Sequence, residues 1–210
     1  GYAVGTYTSP HLVDIRERIQ INDHVISSPA FTELMTRVAR AADDAEKKHG
    51  QASFFELMTA LGFLYFAEQA VDVVIAEVGL GGRLDSTNVI TPEVSVVTSI
   101  SLDHMHFLGK TLPEIATEKS GIFKPGVPAL VAKQETAGNE VIRAKSAEVG
   151  APLYMLGDNV DFSNRFEANQ QLGPHTRVGI AMGKITFDHV PVPLPGEHQA
   201  TNCGLALTVL

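Results

Sequence analysis

Apolar and polar segments alternate along the chain in a way that predicts strands and helices in turn. Residues 73–76 form a run of mostly branched apolar side chains ending at Glu77, which is typical of a strand buried on both faces of a parallel sheet. Shorter apolar runs follow at 94–100, 128–132 and 152–156, with segments of helical length between them. Strand–helix alternation with short connections favours parallel pairing. We therefore predict an α/β fold with a doubly wound, mostly parallel sheet flanked by helices.

Local signals mark where three of these helices begin. Ser28 is predicted to cap a long helix, with Pro29 at its first position. Ser53 and Glu56 have the spacing of a capping box, in which each residue hydrogen-bonds the backbone of the other. Thr111 is predicted to cap a shorter helix that ends near the polar segment after Lys119.

The ends of the chain have a different character from its middle. Residues 1–7 have the pattern of a strand that has begun before residue 1. Polar and apolar residues alternate over 16–21, which predicts a second, short strand. Short apolar stretches between glycine turns predict a small antiparallel β appendage over 158–195, and the pattern of 197–210 predicts a last helix. That helix has no stop signal at residue 210, so we expect the chain to be part of a longer protein.

Composition narrows the functional classes. The 210 residues carry a net charge of −8, which argues against bulk binding of nucleic acid. No apolar run is long enough to span a membrane, and no secretory leader pattern is present, so we expect no membrane partner. A single cysteine, Cys203, cannot form an internal disulfide and favours a reducing, cytoplasmic location. We expect a monomer.

Three polar side chains follow separate predicted strands. Ser9 follows the first strand, Glu77 ends the central apolar run, and His104 lies in the loop after 94–100. Ligands of open α/β sheets bind at the carboxyl ends of strands, so these residues are predicted to converge. A hydroxyl, a carboxylate and an imidazole could together bind Mg²⁺, which uses few protein ligands. Each residue also has a simpler explanation, as a turn former, an ion-pair partner or a hydrogen-bonded loop residue.

Aromatic and glycine-rich segments add candidate binding groups. Glycines within 79–82 permit close backbone approach, and Asp85 places an acid beside them. The loop does not match a dinucleotide-binding fingerprint, because no helix follows it. Phe54 and Phe55 are suited to the core, or to stacking on a flat heterocycle whose edge Glu56 would hydrogen-bond.

Lys119 has two interpretations. A lysine near the end of a helix commonly complements the helix dipole. A partly buried lysine could instead react, as a free amine, with CO₂, and the resulting carbamate would be suited to binding a second metal ion. The sequence leaves both open.

Five segments along the chain carry a resemblance to a known family. In order, they are Thr8–Leu12, Ser53–Glu56, Glu77–Asn88, Asp103-His104 and Glu118–Ile122. This set closely resembles folylpolyglutamate synthase and dihydrofolate synthase, the folate branch of the Mur ligase superfamily. The resemblance covers residues 1 to about 133 and reappears at 195–202. Thr8–Leu12 and Ser53–Glu56 favour folate substrates over those of the cell-wall Mur ligases.

The resemblance implies an ATP-dependent ligase that adds L-glutamate to a carboxylate of dihydropteroate or a reduced folate through an acyl phosphate. It further implies roles for particular residues. Mg²⁺ ligands are implied at Ser9, Glu77 and His104, with Lys119 as a carbamate; Phe54, Phe55, Glu56, Leu84, Asp85 and Ser86 match pterin-binding segments; Gln199 and Asn202 match the region near the ATP base. Glu77, His104 and Lys119 would be the catalytic set.

The resemblance also implies that parts of the ligase are missing. The phosphate-binding loop of the family would precede residue 1, and its C-terminal domain would follow residue 210. The chain would then be an incomplete central ATPase domain, 1–210, and we expect these residues alone to be inactive.

Two alternatives from other classes stay open. Asp103, His104, His106 and Glu77 could serve a metal-dependent phosphoesterase, which would release phosphate from simple esters without glutamate. The chain could also bind pterin or metal without turnover.

Overall fold

The computed structural model describes residues 1–192 and 194–210. The described chain divides into two compact units, Gly1–Ile90 and Thr91–Leu210. Pro193, which falls inside the predicted β appendage, lies outside the described residues.

The predicted α/β class is confirmed, with parallel strand pairing, flanking helices and a separate antiparallel sheet. The first unit contains β1 (Val4–Tyr7), β2 (Ile19–Ile21), β3 (His24–Val25), α1 (Ser28–His49), α2 (Phe54–Glu68) and β4 (Val73–Ala76). The second unit contains β5 (Ser95–Val97), α3 (Met105–Leu108), α4 (Leu112–Ser120), β6 (Ala129–Val131), α5 (Thr136–Val149), β7 (Leu153–Met155), β8 (Asp161–Asn169), β9 (Gly173–Met182), β10 (Ile185–Val192) and α6 (Glu197–Val209).

The sheet of the first unit has the strand order β3-β2-β1-β4. Strand β1 pairs in parallel with β4, placing Tyr7 opposite Ala76, and pairs antiparallel with β2 on its other side. Between β2 and β3, Asn22 and Asp23 both have positive φ, as a two-residue hairpin turn of type I′ requires. The short strand predicted for 16–21 is thus confirmed only for its second half, Ile19–Ile21.

The first half of that segment is a 3₁₀ turn, Ile15–Arg18. The Asp14 side chain accepts from the backbone N–H of Arg16, and the Glu17 side chain accepts in return from the N–H of Asp14. These side-chain bonds offer the backbone an alternative to a strand ladder, which the alternation of apolar residues does not reveal.

A compact core lies between this sheet and the two helices. Tyr7 and Ile19 from the sheet are fully buried with Met58 and Leu61 of α2. The Tyr7 hydroxyl lies 3.1 Å from Thr59 Oγ1, so the one polar atom of this ring has a partner in the core. The apolar face of α2 therefore holds β1 in place.

The expectation that the apolar run 73–76 is buried on both faces is wrong for this unit. Val73, Val74 and Ile75 remain 46%, 40% and 58% exposed. Strand β4 lies at the edge of its four-stranded sheet, with β1 on one side only. An apolar run predicts a strand, but it does not encode the position of that strand in the sheet.

The second unit contains two sheets. Strands β5, β6 and β7 form a parallel sheet in that order, covered by α4 and α5 around buried Val131, Ile142 and Met155. Strands β8, β9 and β10 form an antiparallel sheet, whose apolar face packs on α6 through Val178 and Ile180. Across residues 1–192 and 194–210, no helix has both the length and the hydrophobicity needed to cross a bilayer.

The capping signals are largely confirmed. Complete capping boxes join Ser53 to Glu56 and Thr111 to Glu114. For α1 the cap is Ser27, one residue before the predicted Ser28, because the Ser27 hydroxyl accepts from the N–H of Ala30.

Two leucines with opposite environments test the packing of the first unit. Leu61 is fully buried, whereas Leu12 is 91% exposed. We expect Leu61→Ala to lower the free energy of unfolding by about 2–5 kcal/mol, since it removes buried methyl groups and leaves a cavity. Leu12→Ala is the matched control and should change it by less than about 0.5 kcal/mol. Denaturant unfolding measures both, and equal losses would contradict the described core.

Candidate functional site

The parallel pairing of β1 with β4 brings two of the predicted ligands together. Ser9 follows β1, Glu77 follows β4, and the paired strands end side by side. The backbone N–H of Ser9 donates to Glu77 Oε2 at 2.7 Å, and the N–H of Glu77 donates to the Tyr7 carbonyl at 2.9 Å. The sequence therefore predicted correctly that these two residues lie side by side, from the rule that parallel strands end at one edge. Their role as metal ligands stays a prediction.

The environment of Glu77 fits a cation with few protein ligands. Its side chain is exposed, and within the described residues its Oε1 atom accepts no hydrogen bond. The described part of the chain holds no cluster of three or more histidine, cysteine, aspartate or glutamate side chains arranged for a metal. Mg²⁺ keeps several waters and takes one or two carboxylates, so a single carboxylate beside a serine is compatible with the predicted ion. The presence of Mg²⁺ stays a prediction.

Asp85 organises the glycine-rich loop. Its Oδ2 atom accepts from the N–H groups of Gly79 and Leu80, each at 3.0 Å. Its Oδ1 atom accepts from the N–H and the hydroxyl of Thr87, at 2.9 and 2.6 Å. One carboxylate therefore joins the start of the loop to the 3₁₀ turn that follows it, Ser86–Val89. The prediction that Asp85 contacts a pterin stays a prediction, and what the structure shows is that Asp85 holds the loop in shape.

The two predicted aromatic residues have different environments. Phe55 packs beneath the loop: a Cβ atom at Gly79 would lie 2.7 Å from its Cε2 atom, so a larger residue at position 79 would displace the Phe55 ring. Its ring also lies 6.0 Å from that of Tyr7, centroid to centroid. Phe54, by contrast, is 53% exposed. Phe54 is thus the aromatic surface that a flat ligand can reach, and Phe55 supports the loop.

The carboxylate of Glu56 is engaged at the helix start. Its Oε2 atom accepts from the N–H of Ser53 at 2.6 Å, and this bond lowers the pKa of the Glu56 carboxyl below its usual value. Leu84 is 79% exposed, and Ser86 is half-buried beside it in sequence. Both therefore remain accessible to a ligand.

Sequence reasoning missed the role of the segment between Ser9 and β2. Glu17 accepts hydrogen bonds from the N–H groups of Leu12, Val13 and Asp14. These bonds, led by the one from Leu12, lower the pKa of the Glu17 carboxyl. Hydrogen bonds from Arg16 lower the pKa of Asp14 to about 2. The spacing Asp14-x-x-Glu17 is that of a capping box, so the sequence did contain a usable signal.

Arg18 is a second residue that the sequence reasoning missed. Its side chain is buried, its Nε–H donates to His11 Nδ1 at 2.9 Å, and its guanidinium lies 5.5 Å from the centroid of the Phe54 ring. Burial raises the pKa of the Tyr7 hydroxyl, and the nearby charge of Arg18 acts in the opposite direction. No motif pointed to Arg18, because the sequence pattern does not show that this side chain is buried.

The remaining predicted metal and catalytic residues lie in the second unit. His104 precedes α3 with a φ of 50°, a left-handed backbone that is uncommon outside glycine and asparagine. Its exposed ring lies 3.7 Å from Asp103 Oδ2. The sequence predicted a plain loop here and missed α3, which carries His106. Lys119 is half-buried near the end of α4.

The two residues predicted near the ATP base lie on α6. Gln199 is half-buried in its first turn, and Asn202 is exposed in the next turn. Residues three apart share a helix face, so both side chains lie on one side of α6. Their contact with ATP stays a prediction.

Comparison with known proteins identifies the family. A family model described as the Mur ligase middle domain matches residues 27–210. The chain belongs to this family. The Mur ligase match includes Glu77, His104 and Lys119, whereas Ser9 precedes it.

This Mur ligase chain is similar in sequence and in structure to enzymes named for folate substrates. A dihydrofolate synthase/folylpolyglutamate synthase of Bacillus subtilis is 40% identical over 213 residues, covering 99% of this chain and 48% of the relative. A solved folylpolyglutamate synthase complex with AMPPCP and folate has a TM-score of 0.89 at 33% identity, covering 99% of this chain and 50% of its own. The Escherichia coli FolC complex with DHPP and ADP has a TM-score of 0.82 at 32% identity, covering 100% of this chain and 47% of its own. The chain spans about half the length of these proteins.

The contacts of Asp85 yield a specific prediction. Asp85→Ala removes the acceptor of three N–H groups and one hydroxyl. We expect the free energy of unfolding to fall by about 1–3 kcal/mol, because the freed donors lose their partner. Hydrogen exchange at the amides of Gly79 and Leu80 should accelerate. Asp44→Ala, on the exposed face of α1, is the control, and unchanged exchange in Asp85→Ala would show that other contacts hold the loop.

Proposed function

We propose that the protein containing this chain is an ATP-dependent ligase that joins L-glutamate to a carboxylate of dihydropteroate or a reduced folate. The observation that carries this proposal is the Ser9–Glu77 pair beside the glycine-rich loop, in a chain similar over its whole length to folylpolyglutamate synthases. The known complexes of such proteins hold an ATP analogue with folate, or ADP with DHPP. Substrates of the same classes follow for this chain.

The reaction balances in two steps. A carboxylate oxygen of the acceptor attacks the γ-phosphorus of ATP, the bond to the β-phosphate oxygen breaks, and ADP leaves. The amine of glutamate then attacks the acyl carbon, loses a proton and expels inorganic phosphate as the amide bond forms. Charge develops on phosphate oxygens in both steps, so groups that stabilise negative charge lower the barriers.

Residues of this chain would prepare and hold the reactants. In the first unit, Ser9 and Glu77 are the proposed Mg²⁺ ligands, and the bond from the Ser9 N–H fixes the direction of the carboxylate. In the second unit, His104 and Lys119 are the proposed metal-site residues. The metal, when bound, supplies positive charge that neutralises the phosphates.

Substrate recognition is proposed for the surface around Phe54. Its half-exposed ring offers a flat apolar face, and Leu84 and Ser86 lie on the same loop that Asp85 holds in shape. Phe55 and Glu56 would act through that arrangement, by supporting the loop and by fixing the start of α2. Binding of the ATP base is proposed for Gln199 and Asn202.

A cytoplasmic, monomeric enzyme completes the proposal. The single cysteine of these 210 residues, Cys203, is a free thiol, and burial raises its pKa.

Glutamate addition tests the reaction directly. With the full-length protein, we expect ATP-dependent incorporation of labelled glutamate into dihydropteroate or tetrahydrofolate, with one ADP formed per amide bond. Glu77→Gln should lower kcat on the order of 100-fold, the loss typical of removing one electrostatic contact to a transition state. Glu33→Gln, exposed on α1, is the matched control. Phosphate release from simple esters without glutamate addition would overturn the proposal.

Lys119 has its own test. If its amine carries a carbamate, Lys119→Ala should lose most turnover and regain part of it when acetate or formate is added, because a free carboxylate replaces the lost one. Lys133→Ala, an exposed lysine of the same unit, should keep full activity without additives. Loss of activity that no carboxylate restores, with no carbon-13 carbamate signal in the wild type, would rule the carbamate out.

A further inference from the structure

Arg18 is a buried cation without an acidic partner. Its side chain is only 8% exposed. Among the described residues, no carboxylate forms an ion pair with it; its hydrogen-bond partner is the neutral Nδ1 atom of His11. Buried arginines are almost always paired, because removing a charge from water is costly unless an opposite charge or several hydrogen bonds compensate.

The acids nearest to Arg18 in sequence, and the acid of the glycine-rich loop, are engaged elsewhere. Asp14 forms an ion pair with Arg16 at 2.7 Å. Glu17 accepts three backbone N–H groups. The two oxygens of Asp85 accept from the loop. These three carboxylates thus have other partners, and none of them forms an ion pair with the buried guanidinium of Arg18.

The guanidinium is nevertheless held in one orientation. His11 Nδ1 accepts the hydrogen bond from Arg18 Nε–H, so the proton of the neutral imidazole ring is on Nε2. The Phe54 ring contributes a cation–π contact at 5.5 Å. Among the described residues, neither terminal nitrogen of Arg18 has a hydrogen-bond partner in the protein, and neither is completely enclosed. The stem is held in place, and the forked end keeps unused hydrogen-bond donors.

We propose that Arg18 is a substrate-binding residue that forms a bidentate ion pair with a carboxylate of the acceptor, beside an aromatic ring of that substrate packed on Phe54. A guanidinium fork matches a carboxylate in geometry and charge. The assignment rests on the proposed function, whose acceptors join aromatic rings to carboxylates. Arg18 then has no acidic partner in the free protein, and the carboxylate of the bound substrate becomes that partner.

A thermodynamic cycle between protein and ligand tests this pair. The ligands are folic acid and its diamide, in which both carboxylates are carboxamides; the proteins are the full-length wild type and Arg18→Met. The wild type should bind the acid roughly 10- to 100-fold more tightly than the diamide, as expected for a hydrogen-bonded charged group. Arg18→Met should bind the two ligands about equally. Arg37→Met, which loses an exposed ion pair with Glu68, should discriminate as the wild type does.

Stability separates a binding role from a structural one. Arg18→Met should unfold at the same temperature as the wild type or higher, since it replaces an unpaired buried charge with an apolar chain. If that variant does not fold, Arg18→Lys keeps the charge without the fork and should lose most of the discrimination. Full discrimination in either variant, or equal weakening of acid and diamide by Arg18→Met, overturns the assignment.

The outcomes remain distinct from those of the ligation assay. Glutamate addition by a wild type that does not distinguish acid from diamide would remove Arg18 from the site and leave the reaction standing. If the wild type binds folic acid more tightly than the diamide and Arg18→Met does not, but no glutamate is added, the binding role of Arg18 stands and the proposed ligase activity is wrong.

Discussion

The parallel ladder between β1 and β4 is the interaction on which the candidate site depends. Four residues on each strand are paired, from Val4 opposite Val73 to Tyr7 opposite Ala76, and the proposed metal ligands Ser9 and Glu77 follow within two residues. The ladder is backed on one face by α2, whose side chains bury Tyr7. Because the strands end in register, Ser9 meets Glu77 without any contribution from its own side chain. Main-chain geometry thus determines where the acid lies.

Much of the fold was predictable because it is encoded locally. The capping pair Ser53–Glu56 and the cap at Thr111 are short patterns whose hydrogen bonds form between neighbours in sequence. Strand ends in a parallel sheet share one edge, so the convergence of Ser9 with Glu77 followed from topology. Local bonding and strand order are the two properties that a linear pattern conveys well.

Other features depend on what the folded chain places around a residue. The apolar run of β4 gave no information on its edge position, and its side chains are half-exposed as a result. Phe54 and Phe55 are identical neighbours in sequence, yet one faces outward and the other supports Gly79. Arg18 belongs to no motif. Its significance arises from the burial of its stem and from the engagement of nearby acids, and both are tertiary properties.

The bonds to Glu17 have a consequence for binding. A loop normally loses conformational entropy when a ligand orders it, and that loss reduces affinity. Here the amides of Leu12, Val13 and Asp14 are already fixed by one carboxylate while two apolar side chains point outward, 91% and 90% exposed. The segment beside Ser9 is therefore preorganised, and a ligand that bound there would not have to order it.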